Sequence, residues 1–153
     1  MKKFTLATAF ILAVACGGAA PDKVVSEFIT AWNFGEGSNV VNLMSTKALA
    51  DMNGTINMLK LAPEEASSQL ASRGIMFTPV EVEFLTPGEF MGGMLRNVNP
   101  SYALPDFSNA EIGETAIAED GNTAVVNITV DGETREIRLV SEGGTWKIDE
   151  IPE

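Results

Sequence analysis

Between residues 21 and 74 the apolar side chains recur at helical spacing, and beyond Gly74 they alternate. Val24, Phe28 and Trp32 stand at i, i+4 and i+8 with Val25 and Ile29 beside them. That stripe predicts a helix beginning at Lys23 with Asp22 as its N-cap, ended by Gly35 and Gly37. Ser38 is placed to cap a second helix whose apolar side is Val40, Val41, Leu43 and Met44. A third helical stretch covers Thr46 to Lys60, with Asn53-Gly54 as a candidate break. Pro63-Glu64-Glu65 has the composition of a first turn, because Pro fits N1 and carboxylates favour the positive end of the helix dipole. Leu70 faces inward there, and Gly74 closes this fourth helix.

Pro79 to Thr86 then predicts a strand, with Val80, Val82 and Phe84 on one side and Glu81 and Glu83 on the other. Pro87 to Leu95 predicts a short helix, followed by an irregular stretch from Asn97 to Asn109 that contains Pro100 and Pro105. A strand over Glu111 to Ala118 opens an antiparallel meander. Asp120-Gly121 and Asp131-Gly132 are hairpin pairs. Between them Val126, Ile128 and Val130 alternate with Asn127 and Thr129, and the next strand sets Ile137 and Leu139 against Glu136 and Arg138. Gly143-Gly144 turns the chain into a last strand with Trp146, Ile148 and Ile151. Helices first and strands afterwards predict an α+β fold, N-terminal helices on one face of an antiparallel sheet, as a single domain over residues 22–153.

The first residues follow a different pattern. Lys2 and Lys3 precede an apolar run from Phe4 to Val14, shorter than the ~20 residues a membrane-spanning helix needs. This is the layout of a signal peptide over residues 1–15, cleaved after Ala15. Ala13-Val14-Ala15 fits an ordinary A-x-A site, which would release a soluble protein. Cys16 directly after it resembles the lipobox of bacterial lipoproteins, although many lipoboxes carry Leu where Ala13 stands. Cys16 is the only cysteine, so the exported chain forms no internal disulfide, and lipidation would remove an exposed thiol. The lipobox resemblance implies a diacylglyceryl group, which anchors stably where one acyl chain does not. Gly17 in place of Asp implies, by the sorting rule of diderm bacteria, an outer-membrane lipoprotein facing the periplasm. Residues 16–21 are then the lipidated cysteine and a tether of at most ~3.5 Å per residue, which holds the domain close to its membrane.

The net charge is −11, and since Lys2 and Lys3 belong to the signal, the exported part carries −13. Such a surface repels nucleic acid and anionic lipid, which excludes nucleic acid as a partner. Solubility accounts for the acidity more simply than an acidic binding face does. There is no histidine, which removes His-based acid–base chemistry, Ser-His-Asp triads and ordinary zinc sites. Tyr102, the only tyrosine, and Asp106 form a conceivable acid pair, but in a Pro-bounded loop an exposed turn is the simpler reading. Glu81 and Glu83 on one strand face read as solvated carboxylates. Glu119-Asp120-Gly121-Asn122 lacks the alternating oxygen ligands of a calcium loop and reads as a turn. Nothing in the sequence calls for a cofactor, a metal or a catalytic residue.

Two segments carry a family resemblance: PDKVVSEFITAWNFGEGSNVVNLMS over residues 21–45 and GNTAVVNITVDGETREIRLVSEGGTWKIDEI over 121–151. Their order resembles small bacterial lipoproteins of the nuclear transport factor 2-like superfamily, including families labelled lumazine-binding-like or cystatin-like. The stretch from about Gly74 to Asn109 matches no pattern of theirs. The resemblance implies a curved sheet wrapped against helices into a cone, often with an apolar pocket at its open end. Enzymes of that superfamily use a pocket Asp or His with Tyr or Asp donors, a set this chain largely lacks. The expectation is therefore a non-catalytic, membrane-anchored module for a small apolar ligand, with Trp32, Phe77, Phe84, Phe90, Met91 and Met94 as candidate pocket residues. The Met- and Gly-rich run Phe90 to Leu95 could pack in the core, close a pocket as a lid, or contact a partner or copper(I). A protein-interaction module of the cell envelope is the alternative, and a carboxylate- and Tyr102-dependent enzyme a third.

Overall fold

A helix with one apolar stripe and a sheet with one apolar face bury each other, and that pairing organises this chain. The computed structural model describes residues 18–97, 99, 101 and 104–152. The signal segment with Ala15, the cysteine at Cys16, and Tyr102 lie outside the described residues. Helices come first: α1 (Pro21–Asn33), α2 (Gly37–Leu43), α3 (Thr46–Lys60), α4 (Pro63–Ser72), α5 (Pro79–Glu83) and α6 (Pro87–Leu95). Strands β1 (Glu111–Ile117), β2 (Thr123–Val130), β3 (Glu133–Glu142) and β4 (Thr145–Glu150) follow as one antiparallel, open sheet in the order β1-β2-β3-β4. The fold is α+β, as the periodicity predicts.

On β2 the buried residues Ala124, Val126, Ile128 and Val130 alternate with half-buried Val125, Asn127 and Thr129. Register carries the same face across the sheet, since Val126 sits opposite Ile137, Ala124 opposite Leu139, and Leu139 opposite Ile148. Against it α1 buries Val24, Val25, Phe28, Ile29 and Trp32. Phe28, Trp32 and Phe107 form an aromatic trio with ring centroids 5.3 to 6.4 Å apart, all tilted, the geometry that ring quadrupoles favour. Phe107 is 1% exposed, although it comes from the stretch the sequence reads as irregular.

A second apolar cluster lies among the helices: Ile56, Leu70, Ile75, Val82, Leu85 and Phe90. Met52 packs on both clusters. Helix α6 joins them, because Phe90 faces the helical cluster while its neighbour Met91 faces the sheet core. The glycines of this Met-rich run serve close packing: a Cβ at Gly37 of α2 would collide with the Gly88 carbonyl and the Gly92 amide of α6.

Helix ends differ from expectation by a residue or two. Helix α1 starts at Pro21 with Ala20 as N-cap, so Asp22 is a first-turn acid rather than a cap, and Pro21 is buried structure rather than tether. Its C-terminus is a Schellman turn in which Gly35 (φ 68°) donates to Trp32 O and Glu36 N donates to Ala31 O. Gly37 is the first residue of α2, whose N-cap is Glu36 rather than Ser38. Helix α3 runs unbroken through Asn53-Gly54.

The strand expected over Pro79 to Thr86 is a correction, because this segment is the helix α5 and its exit. Thr78 accepts from the Glu81 amide while Glu81 Oε2 accepts from Thr78 N at 2.7 Å, a full capping box with Pro79 at N1. Thr86, Pro87 and Glu89 repeat the device at the start of α6. Three alternating apolar residues are too few to distinguish strand from helix, and the caps decide it. In the helix Val82 is fully buried, whereas Val80 and Phe84, four apart, share the outer side at 64% and 73% exposure.

Phe28 is fully buried at the centre of the helix–sheet contact. Phe28→Ala is expected to lower unfolding free energy by ~3–5 kcal/mol, read by urea denaturation; a loss below ~1 kcal/mol would show that the trio is not central to the core.

Candidate functional site

The six predicted pocket residues do not share one cavity. Trp32 and Met94 line a recess of about 230 Å³ with Asn33, Leu95 and Leu104. The indole Nε1 is already spent on the Pro105 carbonyl at 2.9 Å. This space lies below the ~300 Å³ at which small-molecule sites begin. Phe77 and Phe84 line a separate recess of about 350 Å³ with Val80, Leu85, Glu81, Glu89 and Arg96. Phe90 and Met91 are core residues, 9% and 6% exposed, and line neither.

The recess at Phe77 and Phe84 shares one lining residue, Val80, with a second hollow. Val80 also lines a space of about 590 Å³ beside Pro63, Glu64, Glu65 and Glu83. The α4–α5 region thus presents Val80 outward between two hollows and Phe84 beside one of them, with Met76 nearby in sequence and 78% exposed. Ser67 Oγ donates to the Phe77 carbonyl at 2.6 Å and ties the Phe77 segment to α4.

Carboxylates border this apolar surface and are held in place by the capping boxes. Glu81 Oε2 accepts from Thr78 N and Thr78 Oγ1 at 2.7 and 2.8 Å, and Glu89 Oε2 accepts from Thr86 N and Oγ1 at 2.9 and 2.7 Å. The Thr78 backbone bond, then its hydroxyl, lowers the Glu81 pKa. The Thr86 hydroxyl, then its backbone amide, lowers that of Glu89, opposed by burial and by the charge of Glu81 and aided by Lys60. Both side chains therefore stay ionised through mildly acidic conditions.

Other candidates resolve into structural roles. Asp106 Oδ1 accepts from Ser108 N at 2.8 Å, and this backbone bond holds its pKa low. Asp120 Oδ1 accepts from Asn122 N at 2.9 Å inside a turn with Gly121 at φ 68°. Glu81 and Glu83, expected on one strand face, lie on a helix and face different hollows. Among the described residues no group of three or more His, Cys, Asp or Glu could hold a metal, and no helix is long and apolar enough to cross a membrane. A groove of about 390 Å³ between α1 and α2 is lined mainly by polar side chains such as Glu27, Glu36, Asn39 and Asn42. Asn39 Nδ2 there donates to Glu36 Oε2 at 2.7 Å.

One polar cluster escapes sequence reading because its members are about a hundred residues apart. Ser45 is fully buried; its Oγ donates to Asp149 Oδ1 at 2.6 Å and accepts from Ala48 N at 3.1 Å as the N-cap of α3. Lys47 Nζ reaches Asp149 Oδ2 at 3.2 Å. Ser45 N donates to Ile148 O beside a parallel bridge between Met44 and Ile148. A Ser, an Asp and a Lys in contact invite a catalytic reading, but the hydroxyl is fully buried, between a carboxylate and a helix end. The cluster fastens α3 to the edge strand β4.

Compared with known proteins, the chain matches no family model, no curated protein and no solved structure.

The Ser45–Asp149 bond gives stability a definite pH dependence. The Ser45 hydroxyl, then Lys47, lowers the Asp149 pKa against the opposing effect of burial. A carboxyl that titrates below its ordinary 3.8 when folded contributes fully above that value. The contribution disappears as pH falls through the lower folded value. Asp149→Asn is expected to cost ~1–2 kcal/mol at neutral pH, with the gap from the parent closing as pH falls below the ordinary carboxyl range. Denaturant unfolding across pH reads this, and a gap constant with pH would remove the charge from the account.

Proposed function

We propose that this protein is a membrane-anchored, non-catalytic binding module of the bacterial cell envelope, held through a lipid on Cys16. The binding surface is the outward side of α5 around Phe77, Val80 and Phe84. The observation that carries the reading is the exposure of Phe84 and Val80 beside formed hollows. A side chain as large as Phe84 at 73% exposure buries its ring only when something else covers it. A shallow surface of this kind suits a segment of another protein better than an enclosed small molecule. A small apolar ligand is the second reading, favoured by the Phe77–Phe84 recess, whose volume of about 350 Å³ just reaches the size of small-molecule sites. The run of helices followed by an antiparallel meander supports placing the fold among the nuclear transport factor 2-like lipoproteins.

Both parts are testable in cells. Cys16→Ser should move the protein from the membrane fraction to the soluble fraction; an unchanged distribution would remove the lipid anchor. A photo-crosslinking residue in place of Phe84 should yield an adduct of protein size, while one in place of Glu111 on β1 should not. An adduct of only small-molecule mass would favour the second reading, and equal adducts from both positions would sink the assigned surface.

A further inference from the structure

The α5 surface combines three properties that together restrict what can cover it. Its centre is apolar, from Val80 and Phe84 with Phe77 and Leu85 lining the recess beneath. Its border is acidic, because Glu64, Glu65 and Glu83 line the hollow on one side of Val80 and Glu81 and Glu89 the recess on the other. Arg96 lines the recess as well, and Lys60 acts on Glu89 at longer range, so the acids outnumber the bases. The capping boxes occupy Oε2 of Glu81 and of Glu89. Among the described residues Oε1 of each accepts no hydrogen bond. These are carboxylates fixed in position, still able to accept and close enough to repel each other.

From this we infer that the surface docks a cationic amphipathic segment of a partner protein. Its apolar residues would cover Val80 and Phe84, and its Lys or Arg side chains would meet Glu81, Glu89 and the acids beside Pro63. The inference rests on the proposed binding surface and adds the chemistry of its occupant. Fixed acceptors favour such a partner because little side-chain freedom is lost when the ion pair forms. An exposed aromatic face adds attraction for a cation. A second copy of this chain is disfavoured, since both copies would bring acidic borders together. An acidic or uncharged apolar segment would leave the carboxylates desolvated and unpaired.

The test uses the full chain and three fluorescein-labelled amphipathic peptides of one length and pattern, built from leucine with lysine, glutamine or glutamate. Fluorescence anisotropy should show the lysine peptide binding about tenfold or more tighter than the glutamine peptide, with the glutamate peptide weakest. Val80→Ser with Phe84→Ser should weaken the lysine peptide about tenfold. Glu81→Gln with Glu89→Gln keeps both capping boxes, because glutamine serves at N3. It should weaken that peptide about threefold or more, whereas Glu111→Gln with Glu114→Gln on β1 should leave it unchanged. Equal losses from the two glutamine pairs would reduce the effect to bulk charge and overturn the inference, as would failure of the lysine peptide to bind. If the glutamine peptide binds as tightly and still depends on Phe84, the cationic partner is wrong but the docking surface stands. Binding that ignores the Val80 and Phe84 changes removes the surface itself.

Discussion

The structure depends on one constraint: the sheet has a single apolar face, and only a helix with a matching stripe can cover it. Val126, Ile128, Ile137, Leu139 and Ile148 have almost no exposure, and without α1 they would form the large exposed patch that drives aggregation. Covering such area contributes roughly 25 cal/mol per Å², far more than any one polar contact on this molecule. That is why Phe28 and Trp32 sit at helical spacing and why Phe107 is drawn in from an otherwise irregular stretch. The Trp32 indole then meets the Pro105 carbonyl and Asn33 Nδ2 the Phe107 carbonyl, at 2.9 and 3.1 Å. The first bond satisfies a carbonyl that burial would otherwise leave unpaired, and the second adds to the bond that the Phe107 carbonyl already accepts from Ala110 N.

The remaining helices attach to this centre by different means. Helix α3 is tied through Ser45, whose hydroxyl caps the helix and donates to Asp149 in one arrangement. Thr46 adds a second tie, its amide and hydroxyl both donating to Glu142 at 2.8 and 2.9 Å. At the same edge the Met44–Ile148 bridge covers part of β4, a common way of blunting an edge strand. The opposite edge, β1, is exposed along its length but carries Glu111, Glu114 and a register shift between Ile112 and Thr115. Charge and a local irregularity discourage strand pairing there. Helix α6 is held by shape, its Gly88 and Gly92 admitting Gly37 at a distance that no side chain would allow.

Much of this was legible in the sequence. The meander could be read from Val126, Ile128 and Val130 and from the Asp131-Gly132 turn, whose residues take φ of 51° and 84°, as a two-residue hairpin requires. The stripe of α1 was equally plain, because long periodic segments leave little ambiguity. What failed was the short segment after Gly74, where Val80, Val82 and Phe84 alternate while Thr78, Pro79 and Glu81 spell a helix start. The helix signal is present locally, beside an alternation of only three apolar residues. The candidate pocket failed for another reason. Phe90 and Met91 are adjacent in sequence, and nothing local says that they face different clusters; tertiary packing decides it. Ser45 and Asp149 could not be paired by any local rule, since only the fold brings them together.

That misread segment is also where fold and surface chemistry meet. In a strand, Val80, Val82 and Phe84 would all have faced one way, toward the core, leaving Glu81 and Glu83 as an ordinary solvated face. In the helix, Val82 alone turns inward, and Val80 and Phe84 are left outside. The caps that force this outcome use the same glutamates that border the apolar surface, so Glu81 and Glu89 each serve the helix through one oxygen and the border through their charge. A drift of either glutamate to alanine would weaken a helix start as well as remove a charge, whereas glutamine separates the two roles. The acidity of the chain thus has, at this surface, a fixed geometry that a freely solvated acid lacks.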